Sequence, residues 1–208
     1  MVGPNRKAID IFNEWAVLDK DFGMEKNHSE AVRVMLDTML SIKSKQFTFI
    51  DAGCGNGWVV RKMRKNPLCK RSLGIDGALE MIRKAKTIDP MGEYIYADLM
   101  HWKPEEKMDI VHSMEVIYYF KKPEKLLRHI RNKWLKPNGR IIVGLDYYYE
   151  NKNSHTWPVD LNTQMTLLRI KEWVELFQRC KFHNVEAFQT NSSDNFPGTL
   201  VINGTNNI

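Results

Sequence analysis

Residues 47–58, FTFIDAGCGNGW, set glycines at every second position, Gly53, Gly55 and Gly57, behind a short apolar run that ends in an acid, Asp51. Lacking a Cβ, those positions can take left-handed angles and bring the backbone close to a ligand. Two further acids, Asp76 and Asp98, close later β-rich runs, and the step from Asp51 to Asp76 has the length of one strand-helix-strand unit. A carboxylate only accepts hydrogen bonds, so acids at successive strand ends suit a ligand that carries hydroxyls and amines. Asp76 taken alone reads as a helix cap; beside its companions it reads as a ligand group. A dinucleotide fingerprint needs a third glycine, yet counting from Gly53 or from Gly55 that place holds Trp58 or Val60. A phosphate-cradling P-loop fails too, because no Gly-Lys-Ser/Thr follows the turn.

The elements that must hold these residues alternate along the chain. Residues 29–42 place Val32, Met35, Leu36, Met39 and Leu40 on one helical face, with Ser29 positioned as a cap. Strands are predicted at 47–52, 71–76, 93–98, 108–114 and 140–149, with candidates at 185–190 and 199–203. Helices are predicted between them at 59–65, 77–86, 123–135 and 169–180, the third stopped by Lys136-Pro137-Asn138-Gly139. Such alternation implies an α/β fold: a Rossmann-like, doubly wound, mostly parallel sheet of seven strands with helices on both faces. Ligands in such sheets sit beyond the carboxyl ends of the strands, at the switch point, which is where the glycine turn falls. Residues 1–28 and 148–165 break the pattern, are rich in aromatic residues, and read as an N-terminal cap and an insert that cover the site of a single domain over 1–208.

Composition narrows the function classes. The net charge of +6 keeps an anionic partner in view, with basic residues clustered at 61–65 with 70–71 and again at 121–136. Both clusters lie on predicted amphipathic helices and read as solvated faces, so nucleic acid is possible but not favoured. No run approaches the length needed to span a bilayer and the N-terminus lacks a secretory segment, so no membrane association and a cytoplasmic location are expected. Cys54, Cys69 and Cys180 are too scattered for a disulfide framework or a zinc site, so reduced thiols and no metal are expected.

Asp51-Ala-Gly53-Cys-Gly55-Asn-Gly57 resembles the acid-x-Gly-x-Gly-x-Gly signature of class I S-adenosylmethionine-dependent methyltransferases. The resemblance continues in family order through Leu73-Gly-Ile-Asp76 with Gly77, Tyr96-Ala-Asp98-Leu99, Asp109 to Phe120, and Leu135-Lys-Pro-Asn-Gly139, with asparagine where the family has the first glycine of its turn. It implies S-adenosylmethionine as cofactor, Asp76 on the ribose hydroxyls, Asp98 and the Leu99 N–H at the adenine, and Gly53, Gly55, Gly57 and Gly77 close to the ligand. Asp51 is expected to order the glycine loop, and Met114 to be either core or cofactor wall.

Methyl transfer from a sulfonium is an in-line displacement, so alignment and exclusion of water matter most and a dedicated base is optional. The Asn/Asp-Pro-Pro-Tyr/Phe loop of base and glutamine methylation is missing, with Ser113-Met-Glu-Val116 in its place, and no Pro-Cys pair supplies a nucleophile for pyrimidine carbon. What remains resembles the small-molecule branch, with a nitrogen or oxygen acceptor. Substrate contacts are expected from Trp15 and Met24 on the cap and from Asp146, Tyr147, Asn151 and Trp157 after the fifth strand. His155, His28 and Tyr119 are the catalytic candidates, with Tyr118 beside the methyl group and His112 read as a satisfied core residue. Their mixture suits a cationic amine, a carboxylate or a phenol. An RNA methyltransferase docking through the basic helices and an inactive cofactor-binding module stand as alternatives.

Overall fold

The computed structural model describes residues 6–41 and 45–207. Residues 1–5 of the expected cap and residue 42 of the expected first helix lie outside that range. Two helices come first, α1 (Ala8–Val17) and α2 (Phe22–Leu40). The chain continues as β1 (Phe47–Ala52), α3 (Trp58–Arg64), β2 (Cys69–Asp76), α4 (Leu79–Ile88), β3 (Glu93–Tyr96), β4 (Met108–Met114), α5 (Pro123–His129) and β5 (Leu135–Leu145). It ends with α6 (Trp157–Asp160), α7 (Ile170–Arg179), β6 (His183–Thr190) and β7 (Thr199–Asn206). The strands form one sheet in the order β3-β2-β1-β4-β5-β7-β6. β1 to β5 pair in parallel, and β7 runs antiparallel between β5 and β6.

Alternating strand residues explain the two layers. Phe47 and Phe49 of β1 point to one face, where they pack with Val32, Met35 and Met39 of α2 and Trp58, Val59 and Met63 of α3. Ile50 and Ala52 point to the other, against Leu126 and Leu127 of α5 and Trp173 and Phe177 of α7. α4 joins the first face through Ile82 and Ala85, which meet Val60 and Tyr94. β1 lies between β2 and β4, so the chain reverses its direction of travel across the sheet there, and the turn after β1 opens at the switch point.

Several boundaries differ from the sequence reading. Residues 6–28 are largely helical, and Ser29 lies inside α2 instead of capping it, because neither glycine nor proline interrupts the chain from Met24 to Ser29. β3 stops at Tyr96, which leaves Asp98 in the loop beyond. The helix from Pro123 loosens into wider π turns over Ile130–Trp134. β5 then starts at Leu135, so Lys136-Pro137-Asn138-Gly139 sits inside a strand. Left-handed Asn138 (φ 60°) and a register shift opposite, between Met108 and Ile110, absorb the missing proline donor as a bulge. β5 ends at Leu145, so Asp146 and Tyr147 lie just past its carboxyl end.

Gly57 caps α3 at φ 79°, and a Cβ there would run into the Tyr94 ring. Gly57→Ala is therefore expected to lower stability by about 1–2 kcal/mol for the left-handed backbone alone, and by more for the clash, as read by urea denaturation. An unchanged unfolding midpoint would show that the turn can relax at no cost.

Candidate active site

The glycine turn is held from below by β2. Gly53 N–H and Cys54 N–H both donate to the Ile75 carbonyl, at 2.8 and 3.1 Å, and Gly57 N–H donates back to the Cys54 carbonyl at 2.9 Å. Gly53, Gly55 and Gly57 have φ of 76°, 51° and 79°, angles that side chains with a Cβ rarely take. Asp76, at the end of β2, ties this turn to the next helix: Oδ2 accepts Gly55 N–H at 2.8 Å and Oδ1 accepts Ala78 N–H at 2.7 Å. Burial outweighs these hydrogen bonds and pushes the Asp76 carboxyl up to about 6.

Asp51 does not order the loop, as the sequence reading had it. It is buried, and its Oδ1 accepts the Nδ1–H of His112 at 2.7 Å across the β1–β4 boundary. His112 is correspondingly not a satisfied core residue. It is fully buried, stacks on Phe49 at 6.0 Å, and its Nε2 has no hydrogen-bond partner.

Two cavities meet over the turn. The first, of about 550 Å³, is edged by Gly53, Gly55, Asp76, Gly77, Asp98 and Leu99, with Ile9 and Phe12 of α1 over it and Tyr96 at its rim. Asp98 keeps its carboxyl charged: burial opposes ionisation, but the Met100 N–H at 2.8 Å and His101 at 2.7 Å hold its pKa below the usual carboxylate range. The second, of about 560 Å³, lies under α2 and α6 and carries Trp15, His28, Asp51, His112, Asp146 and Trp157 on its walls. Phe12, Met24, Gly53, Met114, Glu115 and Tyr119 border both, so the cavities share one wall.

The two covers fasten to the sheet and to each other. Asp21, fully buried before α2, accepts Asn56 Nδ2–H of the glycine turn at 2.8 Å and the Lys84 ammonium of α4 at 2.6 Å. Arg6 N–H donates to the Asn162 carbonyl at 3.1 Å, and the Thr163 hydroxyl donates to the Arg6 carbonyl at 2.8 Å. The N-terminal cover and the insert are thereby joined to each other.

A glycine turn at the switch point, flanked by two strand-end acids and backed by a covered second cavity, coincides with a profile match: the family described as a methyltransferase domain matches residues 24–187. The chain belongs to that family. Among curated relatives, it is 30% identical over 108 residues to trans-aconitate 2-methyltransferase of Azoarcus sp. (strain BH72), covering 50% of this chain and 40% of that one. It is 26% identical over 179 residues to malonyl-[acyl-carrier protein] O-methyltransferase of Halalkalibacterium halodurans, 76% of this chain and 66% of the relative. It is also 26% identical over 157 residues to tRNA U34 carboxymethyltransferase of Histophilus somni, 66% and 46% respectively. The chain thus spans between 40% and 66% of the length of these relatives. Among solved structures it resembles the methyltransferase in a complex with the Haloferax volcanii Trm112 methyltransferase activator, with TM-score 0.82, 26% identity, and coverage of 97% of this chain and 98% of that one.

Within this methyltransferase domain, the expected residues divide by their place around the two cavities. Gly53, Gly55, Asp76, Gly77, Asp98, Leu99 and Met114 border the first cavity, while Gly57 stands behind it as the helix cap. Trp15, Met24, His28, Asp146 and Trp157 converge on the second, with Tyr118 and Tyr119. Tyr147 and Asn151 lie one layer back: Tyr147 stacks on Trp157 at 6.2 Å, and Asn151 Nδ2–H donates to the Asp146 carbonyl at 2.7 Å. His155 borders neither cavity; its Nε2 bonds the Tyr149 carbonyl at 2.9 Å, so the insert turns it away from the acceptor side.

The sequence reading missed α1 and Glu115. Ile9 and Phe12 follow an ordinary amphipathic helix that Ala8–Val17 could have signalled. Glu115, at φ 59°, accepts the Tyr118 hydroxyl at 2.8 Å and the Asp146 N–H at 2.5 Å. Burial, reinforced by Asp146, raises its carboxyl well above the usual range.

Asp76 ties stability to pH. Its folded-state pKa is raised, so it takes up a proton as pH falls through about 6, before an unfolded carboxyl would. The group's contribution to stability accordingly falls as pH rises from the ordinary carboxylate value through about 6, whereas its capacity to accept hydrogen bonds from a ligand grows. S-adenosylhomocysteine affinity is expected to weaken as pH is lowered from about 7 to 5, and Asp76→Ala to cost on the order of 1.5–3 kcal/mol of binding at neutral pH. Calorimetric titration across that range checks both; a flat profile would remove Asp76 from the ribose site.

Proposed function

We propose that this chain transfers the methyl group of S-adenosylmethionine to a nitrogen or oxygen atom of a small molecule. The observation that carries the reading is the shared wall: a cavity that offers the acceptors Asp76 and Asp98 to an adenosine lies against a second cavity of small-molecule size, with Gly53, Met114, Glu115 and Tyr119 bordering both, beside two covers joined to each other. Asp76 would hold the ribose, Asp98 and the Leu99 N–H the adenine, and Asp51 would face the methionine end from the second cavity. When bound, the cofactor supplies an electrophilic methyl group on a sulfonium.

The chain's own part is alignment and exclusion of water. α1, α2 and α6 supply the roof. Burial lowers the pKa of His28, so its ring is neutral at pH 7 and able to take a proton, while the carboxylate of Asp146, 3.7 Å away, pulls the other way. Burial raises the Tyr119 phenol, which therefore acts as a hydrogen-bond donor at the shared wall and not as a base.

The RNA alternative rests on the basic clusters, in which Arg64 pairs with Asp89, Arg71 with Glu93 and Lys136 with Asp109. Those three charges are matched within the fold, while Lys62, Lys65, Lys121 and Lys122 form no ion pair among the described residues, so transfer to tRNA has to be tested directly. A second reading, that the chain works with an activator subunit, is supported by its likeness along almost the whole length to the protein in the Trm112 complex. Co-expression with the Trm112 homologue of the source organism tests it: a stable pair on size-exclusion chromatography supports association, and separate elution counts against it.

Parallel titration with S-adenosylmethionine, S-adenosylhomocysteine and NAD, followed by radiolabel transfer to small acceptors and to total tRNA, tests the main reading. Binding of the first two alone and label in small acceptors are the expected results. Label in tRNA, or cofactor binding with no transfer to any acceptor, would overturn it in favour of an RNA enzyme or an inactive module.

A further inference from the structure

The walls of the second cavity carry a polarity that selects among acceptors, given the methyl-transfer reading above. Two of its buried side-chain atoms have no hydrogen-bond partner: the carboxyl oxygen Asp146 Oδ1 and the ring nitrogen His112 Nε2. A carboxylate oxygen only accepts hydrogen bonds. Buried polar atoms are nearly always satisfied, so the unpaired Asp146 oxygen points to a ligand that brings a donor.

Charge points the same way. Asp51, Glu115 and Asp146 line the cavity beside His28, Asp160 and Lys20 both lie exposed at its edge, and no arginine borders either cavity among the described residues. A carboxylate acceptor would need a planar or ammonium cation to hold it, and Lys20 lies exposed at the rim. The rings of Trp15, Tyr119 and Trp157 add faces that attract cations, with Phe12 packed edge-on against Trp15 at 5.4 Å and against Tyr119 at 5.5 Å to fix them. Burial raises the pKa of Asp146, against the pull of Thr199 and His28, as expected of a carboxyl placed where a cation would relieve it.

We propose that the methyl acceptor is a small basic amine that enters as its ammonium ion, is held by Asp146 among these rings, and gives a proton to His28. In that step the N–H bond breaks, the electron pair stays on nitrogen and the proton moves to the imidazole. The nitrogen lone pair then forms the new N–C bond as the C–S bond breaks and its electrons return to sulfur. The methylated amine leaves as its own ammonium ion, and His28 passes its proton to water.

Calorimetric titration of protein saturated with S-adenosylhomocysteine, using 2-phenylethylamine against 3-phenylpropionate and butylamine against pentanoate, tests this before any turnover is needed. At least one amine is expected to bind about tenfold or more tightly than its matched carboxylate, and Asp146→Asn to remove about that factor while S-adenosylhomocysteine affinity stays unchanged. Trp157→Leu, on an outer helix, is expected to weaken the same amine, and His28→Gln to keep its binding but slow its methylation. Equal or tighter carboxylate binding, or no binding by either amine, overturns the amine assignment and leaves methyl transfer standing. Loss of S-adenosylhomocysteine binding by the unmodified protein overturns the methyl-transfer reading instead.

Discussion

The carboxylate of Asp76 joins three pieces of the fold that meet at the first cavity. One oxygen fixes the Gly55 N–H of the turn after β1 and the other fixes the Ala78 N–H at the start of α4, while the residue itself ends β2. The three glycines of the turn have no side chains with which to hold its shape, so their left-handed angles rest on the hydrogen bonds from the β2 end and on the Asn56 contact with Asp21. The same geometry that makes the turn cooperative with β2 leaves the Asp76 carboxylate on the cavity wall. The carboxylate does not cap α4 itself but takes the backbone N–H of Ala78, the residue before the helix, so its structural role leaves it on the cavity wall.

The covers depend on this frame. Asp21 reaches the turn through Asn56 and reaches α4 through Lys84, so the entry to α2 is fastened to both elements that Asp76 joins. Arg6 and Thr163 then connect the N-terminal cover to the insert. These links are a handful of hydrogen bonds, in contrast with the extensive apolar packing of α2 from Ala31 onward. Opening of the second cavity would break the few and spare the many, which is the distribution expected of an element that admits substrate.

How much of this was legible in the chain follows from range. Left-handed angles at 53, 55 and 57 are a local demand that glycine spacing states directly, and the period change from strand to helix located most of the sheet. Ser29 misled because a capping residue is also tolerated within a helix, and the turns before it bury little. Residues 148–165 gave aromatic content but not direction, so Trp157 and His155, two residues apart, landed on opposite sides of the insert. The His112 to Asp51 contact is a pairing across neighbouring strands, 61 residues apart in sequence, and only the register of β1 against β4 reveals it.

That register places a concentration of acid where apolar packing would have been more stable. Burial raises the carboxyls of Asp76, Glu115 and Asp146, and each therefore opposes folding in its charged form. Glu115 is also raised by the Asp146 charge, against the hydrogen bond it accepts from the Asp146 backbone N–H. The natural counterweight is positive charge delivered from outside: a cation bound among these groups lowers all three penalties at once and stabilises the folded state in proportion to its affinity. A methyl donor whose sulfur is a sulfonium brings one such charge, and an ammonium ion in the adjoining cavity would bring another. Unfavourable burial of acids at the switch point thus reads as electrostatic preorganisation, in which stability is given up so that two cations can share one wall.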